Sequence, residues 1–467
     1  MQDQPPATCP AGAASAGATP APGTPPPPPP QPELFTWEFA TDPYPAYAWL
    51  RENSPVHRTT LPSGVEAWLV TRYADARQAL ADQRLSKNPA HHSEPAHAKG
   101  KTGIPGERKA ELMTHLLNID PPDHTRLRRL VAKAFTPSRV AEFAPRVQEL
   151  TDQLIDTLIN KHGDDENGDH ENGDHENGDG KHGGDVGTAD LIHEFAFPLP
   201  IYAICDLLGV PREDQDDFRD WAGMMIRHGG GPRGGVARSV KKMRGYLAEL
   251  IHRKRLEPGD DLISGLIKAS DHGEHLTENE AAAMAFILLF AGFETTVNLI
   301  GNGLYALLTH PEQRERLQRA LAAGDTELLE TGVEELLRFD GPVELATWRF
   351  ATEDLSVGGQ DIATGDPVLV VLAAADRDPA RFDRPDTLDL SRSDNQHLGY
   401  GHGIHYCLGA PLARLEGRTA LATLLRRLPD LQLAADPADL RWRGGLIMRG
   451  LRTLPVEFTN AQQSTEG

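Results

Sequence analysis

One cysteine of this chain stands in a setting that could do chemistry. Cys407 lies in the stretch 400–409, which reads YGHGIHYCLG, and a helical pattern follows directly over 410–425. The glycines allow the backbone to turn tightly and to lie against a flat ligand. A helix N-terminus favours a thiolate, and such a thiolate can hold the iron of a haem. Two alternatives stay open: a cysteine without chemistry, and a zinc site with His402 and His405, although no second cysteine pair lies nearby to complete it.

A second polar feature interrupts the longest apolar segment. The pattern predicts a buried helix over 278–309, which starts at the capping-box sequence TENE. Within it, residues 291–296 read AGFETT. This break is interpreted either as a site for small polar chemistry at Glu294 and Thr295, or as close helix packing at Gly292 with threonine hydroxyls bonded to the preceding turn. The two interpretations stay open at this point.

The elements that must position these residues are mostly helical. Apolar residues recur at helical spacing in many segments, and strand-like runs are few and short. The helical segments are 43–53, 73–81, 126–134, 140–160, 189–208, 236–254, 261–270, 311–322 and 328–339, and the strand-like ones 65–70, 368–372 and 454–458. The predicted fold class is mainly α with small β-sheets.

Two segments of the 467-residue chain cannot form a core. Residues 1–32 hold 12 of the 37 prolines and are predicted to be a disordered tail. Residues 161–187 contain near-repeats of DHENG, with nine acidic residues against two lysines. We interpret this second segment as a solvated insertion between two helices of one domain, with metal binding by its histidines as the alternative. The remainder suffices for one large domain or two ordinary ones.

Composition excludes several classes of function. The net charge of −21 disfavours nucleic-acid binding, which needs a basic face. The apolar run 281–292 is too short to span a bilayer, and the N-terminus lacks the pattern of a signal peptide. Three scattered cysteines do not make a disulfide framework, which predicts a reducing, cytoplasmic location.

Four motifs in order along the chain resemble those of the bacterial cytochrome P-450 family. They are HTRLR at 124–128 after DPP, AGFET at 291–295, ELLR at 335–338 and the cysteine stretch at 400–409. The resemblance covers about residues 33–460. It implies the cytochrome P-450 fold, with a single large haem-binding domain over 33–462 that contains the acidic insertion.

The resemblance also assigns roles to individual residues. Cys407 would be the proximal ligand of haem b iron, and Thr295 and Glu294 would deliver protons to bound oxygen. Haem contacts would come from His124, Arg128, Arg349, His405, Gly401, Gly409, Ala291 and Gly292. A buried structural network would join Glu335, Arg338 and Arg392.

The implied activity is that of a haem-thiolate monooxygenase. It would insert one atom of O₂ into a C–H bond or an alkene of a lipophilic small molecule. Electrons would come from NAD(P)H through a separate ferredoxin and ferredoxin reductase, because the chain has no flavin or iron–sulfur motif. Basic residues on the proximal side, namely Arg129, Lys133, Arg414 and Arg418, could meet the ferredoxin. The alternative of a non-catalytic haem-binding module is disfavoured by the presence of both Glu294 and Thr295.

Substrate contacts of the family fall on a further set of residues. These are Phe290, Val343, Glu344, Leu345, Ala346, Ile447 and Met448. The segments 294–300 and 341–344 resemble enzymes that hydroxylate or epoxidise macrolides and other polyketides, and Glu344 could pair with a substrate amine. Terpenes, steroids and fatty acids are the alternative substrates. Two departures from the family pattern are Tyr400, in place of Phe, and Asp376, in place of Asn or His.

Overall fold

The structure is a computed structural model that describes residues 31–91, 115–162, 186–226, 235–271 and 274–459. The predicted disordered tail, apart from its last two residues, lies outside these ranges, and so does the acidic insertion apart from its ends. The described residues from Glu33 onward form one compact unit.

The described residues contain fifteen α-helices. They are α1 (Trp37–Thr41), α2 (Tyr44–Asn53), α3 (Tyr73–Ala81), α4 (Asp123–Ala134), α5 (Pro137–Glu142), α6 (Ala144–His162), α7 (Pro198–Leu208), α8 (Gln215–Ile226), α9 (Gly235–Leu256), α10 (Leu262–Lys268), α11 (Glu278–Thr309), α12 (Pro311–Ala322), α13 (Glu327–Asp340), α14 (Leu372–Ala375) and α15 (Ala410–Arg427). The mainly α prediction is confirmed.

The strands are short and lie in small sheets. They are β1 (Val56–Thr60), β2 (Glu66–Val70), β3 (Leu85–Ser86), β4 (Val186–Asp190), β5 (Ser270–Asp271), β6 (Glu274–His275), β7 (Arg349–Ala351), β8 (Leu355–Val357), β9 (Gln360–Ile362), β10 (Pro367–Val370), β11 (Gln432–Leu433) and β12 (Pro455–Thr459). The largest sheet has the order β1-β2-β10-β7-β3, in which only the pair β2 and β10 is parallel. A second sheet has the order β11-β12-β4.

Helix α11 is the central element of the core. Its bounds are those predicted, and the capping box is present: Thr277 accepts from the backbone of Glu280, whose side chain accepts from the backbone of Thr277. It packs against α7, α9, α13 and α15. Its length and composition would suit a membrane crossing, yet 72% of its most apolar 18-residue stretch is buried inside the fold. These are the properties of the core helix of a globular domain.

Two expectations about helices were wrong. The predicted helix 140–160 is broken at Phe143 into α5 and α6. Pro145 explains the break, because a proline fits only the first turn of a helix. The predicted helix 189–208 starts as strand β4, which pairs with β12 in the register Val186 to Thr459. The acidic insertion therefore leads from a helix into a sheet, because β4 finds its partner at the far end of the chain.

Candidate active site

The cysteine loop folds back tightly before α15. The N–H of Cys407 donates to the carbonyl of Tyr400 at 2.9 Å. Gly401 and Gly403 have φ values of +74° and +76°, a region that favours glycine. A Cβ at Gly403 would also lie 3.1 Å from the carbonyl oxygen of Leu80. The loop thus needs glycine at these positions, and its Cys407 lines a cavity.

The surroundings of the Cys407 thiol set its protonation. Burial raises its pKa, while the backbone N–H groups of Gly409 and Ala410 and the charges of Arg128 and Arg414 oppose that rise. A metal that binds the sulfur must displace the proton, and those N–H groups would then stabilise the thiolate. No cluster of three or more potential metal-ligating side chains occurs in the described residues, which gives the zinc alternative no support.

The cavity connects the cysteine loop with the polar break of α11. Ala291, Gly292, Thr295 and Thr296 line it together with residues 399–402 and 405–409. Gly401 and Gly409, predicted to contact the haem, are among these lining residues. The structure therefore brings the predicted iron ligand and the predicted oxygen-handling residues to one space.

One end of this cavity is strongly basic. Arg128, Arg349 and His405 line it, and the ring of His124 lies 4.3 Å from that of His405, centroid to centroid. Burial, with help from the charges of Lys87, His124 and Arg349, lowers the pKa of His405 to about 2. Burial also lowers the pKa of Arg349 to about 10, against the opposite effect of Asp120 and Asp82. Arg349 stays charged at neutral pH, and a buried cation of this kind needs an anion nearby.

These residues fit the carboxylates of a haem. His124 Nε2 and Arg349 Nε are buried and have no hydrogen-bond partner within the described residues. No carboxylate from the described part of the chain lines the cavity. Two propionate groups would supply the missing acceptors and charge, while the Cys407 thiol would supply the iron ligand.

Sequence reasoning missed two members of this basic end. Lys87 is buried, lines the cavity and donates from Nζ to the carbonyls of Thr347 and Trp348 at 2.9 and 2.8 Å. His115 is buried, and burial and the charge of Lys87 lower its pKa to about 4. No periodic pattern marks Lys87, because it follows the two-residue strand β3.

The structure shows features that fit each of the two interpretations of the α11 break. The helix is uninterrupted, and the hydroxyls of Thr295 and Thr296 donate to the carbonyls of Ala291 and Gly292 at 2.7 and 3.0 Å. Thr295 nevertheless lines the cavity, whereas Glu294 is buried and does not. A Cβ at Gly292 would meet Ile204 at 3.4 Å, an ordinary contact, so helix packing alone does not require this glycine.

The predicted network of Glu335, Arg338 and Arg392 is present in the structure. Arg338 donates from Nε and Nη2 to the two carboxylate oxygens of Glu335 at 2.7 and 2.8 Å, and both side chains are completely enclosed. Arg392 donates to Glu335 at 3.0 Å. Arg338 also donates to the carbonyls of Asp376 and Pro385. The network ties α13 to the irregular segment that leads to Cys407.

The predicted substrate residues divide into two groups. Val343 and Ala346 line the cavity. The others do not appear among its lining residues: Phe290, Glu344, Leu345, Ile447 and Met448. Phe290 packs its ring against Phe293, and Met448 forms a backbone bridge to Val343 that supports the lining from behind.

Glu344 is the clearest correction within this set. Its carboxylate is 6% exposed, accepts the hydroxyl of Tyr47 and feels the charge of Arg449. Burial raises its pKa. It is therefore neither an exposed acid nor a group that faces a ligand in the cavity, and the structure gives no support to its pairing with a substrate amine.

The predicted proximal cations differ in their surroundings. Arg414 is held by Glu334 through two hydrogen bonds of 2.6 and 2.7 Å, and this pair lowers the pKa of Glu334 to about 2 against the effect of burial. Its guanidinium also lies 4.5 Å from the ring of Tyr400. Arg129 and Lys133 are exposed on α4. Arg414 thus belongs to the support of the cysteine loop, which leaves α4 as the better candidate for a docking surface.

Comparison with known proteins identifies the family. The cytochrome P450 family model matches residues 232–429. Cytochrome P450 monooxygenase PikC of Streptomyces venezuelae is 44% identical over 428 residues, which cover 91% of this chain and 94% of that protein. This chain belongs to the cytochrome P450 family.

Other relatives of this P450 agree in fold and length. The mycinamicin IV hydroxylase/epoxidase of Micromonospora griseorubida is 39% identical over 88% of this chain and 94% of its own length. The solved structure of the Bacillus subtilis bacillaene polyketide synthase cytochrome P450 PksS matches with a TM-score of 0.78 and 37% identity, over 91% of this chain and 99% of that one. The tirandamycin C-bound P450 monooxygenase TamI matches with a TM-score of 0.76 and 40% identity, over 90% and 98%.

Membership settles the class of chemistry and of cofactor. This P450 has the predicted fold and is a monooxygenase with a haem-thiolate cofactor, which uses O₂, redox partners and a small-molecule substrate. The resemblance found in the sequence motifs is thereby confirmed.

Proposed function

We propose that this P450 hydroxylates or epoxidises a macrolide or related polyketide. One observation carries the proposal: the cavity joins Cys407 and Thr295, collects its cations at one end and has an apolar lining elsewhere. The apolar part includes Ile204, Met284, Ile287, Val343 and Ala346. Such a lining favours a large lipophilic molecule over a charged one. Relatives named for mycinamicin IV and 6-deoxyerythronolide B support this substrate class.

The residues around the cavity would have different roles in this reaction. When bound, haem b supplies the reductive activation of O₂ and the insertion of one oxygen atom into a C–H bond or an alkene. The apolar lining would bind the substrate and exclude water. The Thr295 hydroxyl would break its hydrogen bond to the carbonyl of Ala291 and hold a proton at the cavity wall. After that proton is transferred, Glu294 would supply the next one. His124, Arg128, Arg349, His405 and Lys87 would hold the propionates.

Electrons would arrive from NAD(P)H through a ferredoxin reductase and a ferredoxin. The exposed cations of α4, Arg129 and Lys133, offer a face for an acidic ferredoxin close to the cysteine loop. Arg128 of the same helix supports this path, because it donates to the carbonyl of Tyr406 at 2.6 Å. We place the protein in the cytoplasm, where such partners are reduced.

A spectral titration of the haem-loaded protein tests the substrate class. Macrolide and linear polyketide ligands should shift the Soret band in the type I sense at micromolar concentration, and turnover should add one oxygen atom by mass spectrometry. Steroids, terpenes and fatty acids should bind at least about tenfold more weakly, which is a difference of about 1.4 kcal/mol in binding free energy. Tighter binding and turnover of one of those classes would replace the polyketide proposal. Binding without any product would favour a non-catalytic module.

A further inference from the structure

A row of buried polar side chains follows one face of α11. Glu294, Asn298 and Asn302 are spaced by four residues and therefore share a face. They are 4%, 2% and 1% exposed. Polar groups buried on a largely apolar helix cost free energy unless other elements supply partners. The row therefore points to a polar surface on whatever packs against it.

That surface belongs to the C-terminal hairpin, residues 441–452. The hairpin is formed by the bridge of Trp442 to Leu451 and by a bond from the N–H of Arg443 to the carbonyl of Gly450 at 2.8 Å. Asn302 donates to the carbonyl of Arg449 at 3.1 Å. The two elements are in direct contact one turn earlier, where a Cβ added at Gly450 would lie 2.1 Å from the Oδ1 of Asn298.

Arg443 is the hairpin cation whose charge interacts with the first member of the row, Glu294. Burial lowers its pKa, the negative charges of Glu294 and Asp190 raise it, and the charge of Arg452 lowers it. Its Nη1 is buried without a hydrogen-bond partner in the described residues. Glu294 and Arg443 thus have opposite charges across the contact between α11 and the hairpin, away from the lining of the cavity.

Other polar atoms along the contact between α11 and the hairpin are also buried without a hydrogen-bond partner in the described residues. Asn298 Nδ2 and Asn302 Oδ1 are buried and have no hydrogen-bond partner in the ranges that the structure describes. Buried polar atoms in proteins are almost always satisfied, and ordered water is the usual partner where no protein group reaches them. Polar atoms of three residues in one contact give enough donors and acceptors to hold such water.

We propose that Arg443 positions Glu294 for proton delivery, and that protons reach this carboxylate through water held between α11 and the C-terminal hairpin. The proposal rests on the relay role of Glu294 and Thr295 in the proposed function. The charge of Arg443 would favour the ionised form of Glu294. A water O–H bond breaks as an O–H bond forms on Glu294, bulk solvent restores the water, and the proton passes on to the side of Thr295. The protein ends each cycle with its charges unchanged.

Substitution of Arg443 by glutamine tests the positioning role. Loss of an opposite charge raises the pKa of a carboxyl group, so the acidic limb of the pH profile of coupling, measured as product per NAD(P)H, should move up by about one pH unit. The solvent deuterium isotope effect on product formation should increase. Arg441→Gln is the matched control, because this exposed hairpin arginine lies against Trp37. A profile unchanged by Arg443→Gln, or moved equally by Arg441→Gln, would overturn the proposal.

A double-mutant cycle separates this proposal from the relay role itself. In a Glu294→Gln background, Arg443→Gln should cause no further shift, because the group it acts on is gone. A persisting shift contradicts the positioning role. If Glu294→Gln alone leaves coupling unchanged, the relay part of the proposed function fails instead. If Arg443→Gln does not load haem, Arg443→Lys replaces it. The shorter, more localised charge should then give a smaller shift in the same direction, and no shift would count against the proposal.

Discussion

At the scale of single residues, Asp376 shows how a buried carboxyl group can serve as a hydrogen-bond acceptor. It is 2% exposed, and its Oδ1 accepts the backbone N–H of Leu398 at 2.7 Å, just before the cysteine loop. Burial raises its pKa to about 6, although His397, the N–H of Leu398 and Arg338 oppose that rise. This departure from the family pattern thus still provides an oxygen that anchors the loop.

Substitution of Asp376 by asparagine should stabilise the protein. The carboxyl pKa of about 6 lies above the usual 3.8, so the folded state binds the proton more tightly and this group destabilises the fold as pH rises through 6. Asparagine keeps the acceptor and removes the charge. The free energy of unfolding should rise by about 1–3 kcal/mol at pH 8 and by about half as much at pH 5. Urea unfolding of the haem-loaded protein measures it.

The exposed carboxylate of Asp361 in β9 provides the control for that experiment. Asp361→Asn should change the stability by less than about 0.5 kcal/mol at either pH, as expected for surface positions. A loss of stability in Asp376→Asn, or a gain that does not depend on pH, would show that the negative charge itself supports the loop.

At the scale of elements, α11 combines a continuous helix with two polar faces. Thr295 is turned to the cavity, while Glu294, one residue earlier, lies on the face that meets the C-terminal hairpin. Neighbouring residues on a helix point about 100° apart. One helix can therefore present a polar side chain to the hairpin on one side and another to the cavity on the other. The Thr295 hydroxyl donates to the carbonyl of Ala291, and the residue still lines the cavity.

Removal of the Thr295 hydroxyl should uncouple electron use from product. Thr295→Ala leaves the helix in place but removes the proton donor at the cavity, so product per NAD(P)H should fall by about tenfold or more, with hydrogen peroxide formed instead. Thr309→Ala is the matched control, because its hydroxyl makes the same type of bond, to Tyr305, near the end of the helix. Unchanged coupling in Thr295→Ala, or an equal effect in Thr309→Ala, would refute the role of this hydroxyl.

At the scale of the whole molecule, the acidic insertion is attached to the domain by closely spaced ends. Lys161 and His162 at the end of α6 both contact Glu194, at 2.6 and 2.8 Å, which also accepts the N–H of Asp190 at the end of β4. A Cβ at Gly187 would lie 2.8 Å from the carbonyl of His162. The two ends are therefore held together by contacts of Lys161, His162 and Gly187, at the ends of the insertion, with one another and with Glu194 of the adjoining domain.

Deletion of residues 163–185 should leave the domain intact. A variant in which a Gly-Ser link replaces this segment should keep its full haem content and a thiolate-type spectrum of the reduced CO complex. Its free energy of unfolding should change by less than about 2 kcal/mol, because stability depends only weakly on loop length. Deletion of 163–187 is the control, because it also removes Val186 and Gly187 of β4 and should destabilise the protein. Loss of haem in the shorter deletion would show that the insertion has a structural role.

The sequence by itself determined the family and the central helix, and it named the residues that are expected at the iron. Helix α11 was predictable in full because its capping box and terminal proline are local signals. Cys407, Thr295 and the pair Glu335 and Arg338 were singled out by short motifs that resemble those of the family, and helix spacing places Glu335 and Arg338 on one face. For these features the decisive interactions lie within a few residues of one another.

Only the tertiary structure decided which side chains reach the cavity. Val343 and Glu344 are neighbours, yet the first lines the cavity and the second is bonded to Tyr47. Adjacent residues in extended backbone point to opposite sides, and which side faces inward depends on packing against segments far away in the chain. The same reason hid the places of Lys87 and Arg443. Their partners, in 347–348 and on α11, are more than 140 residues away in the sequence.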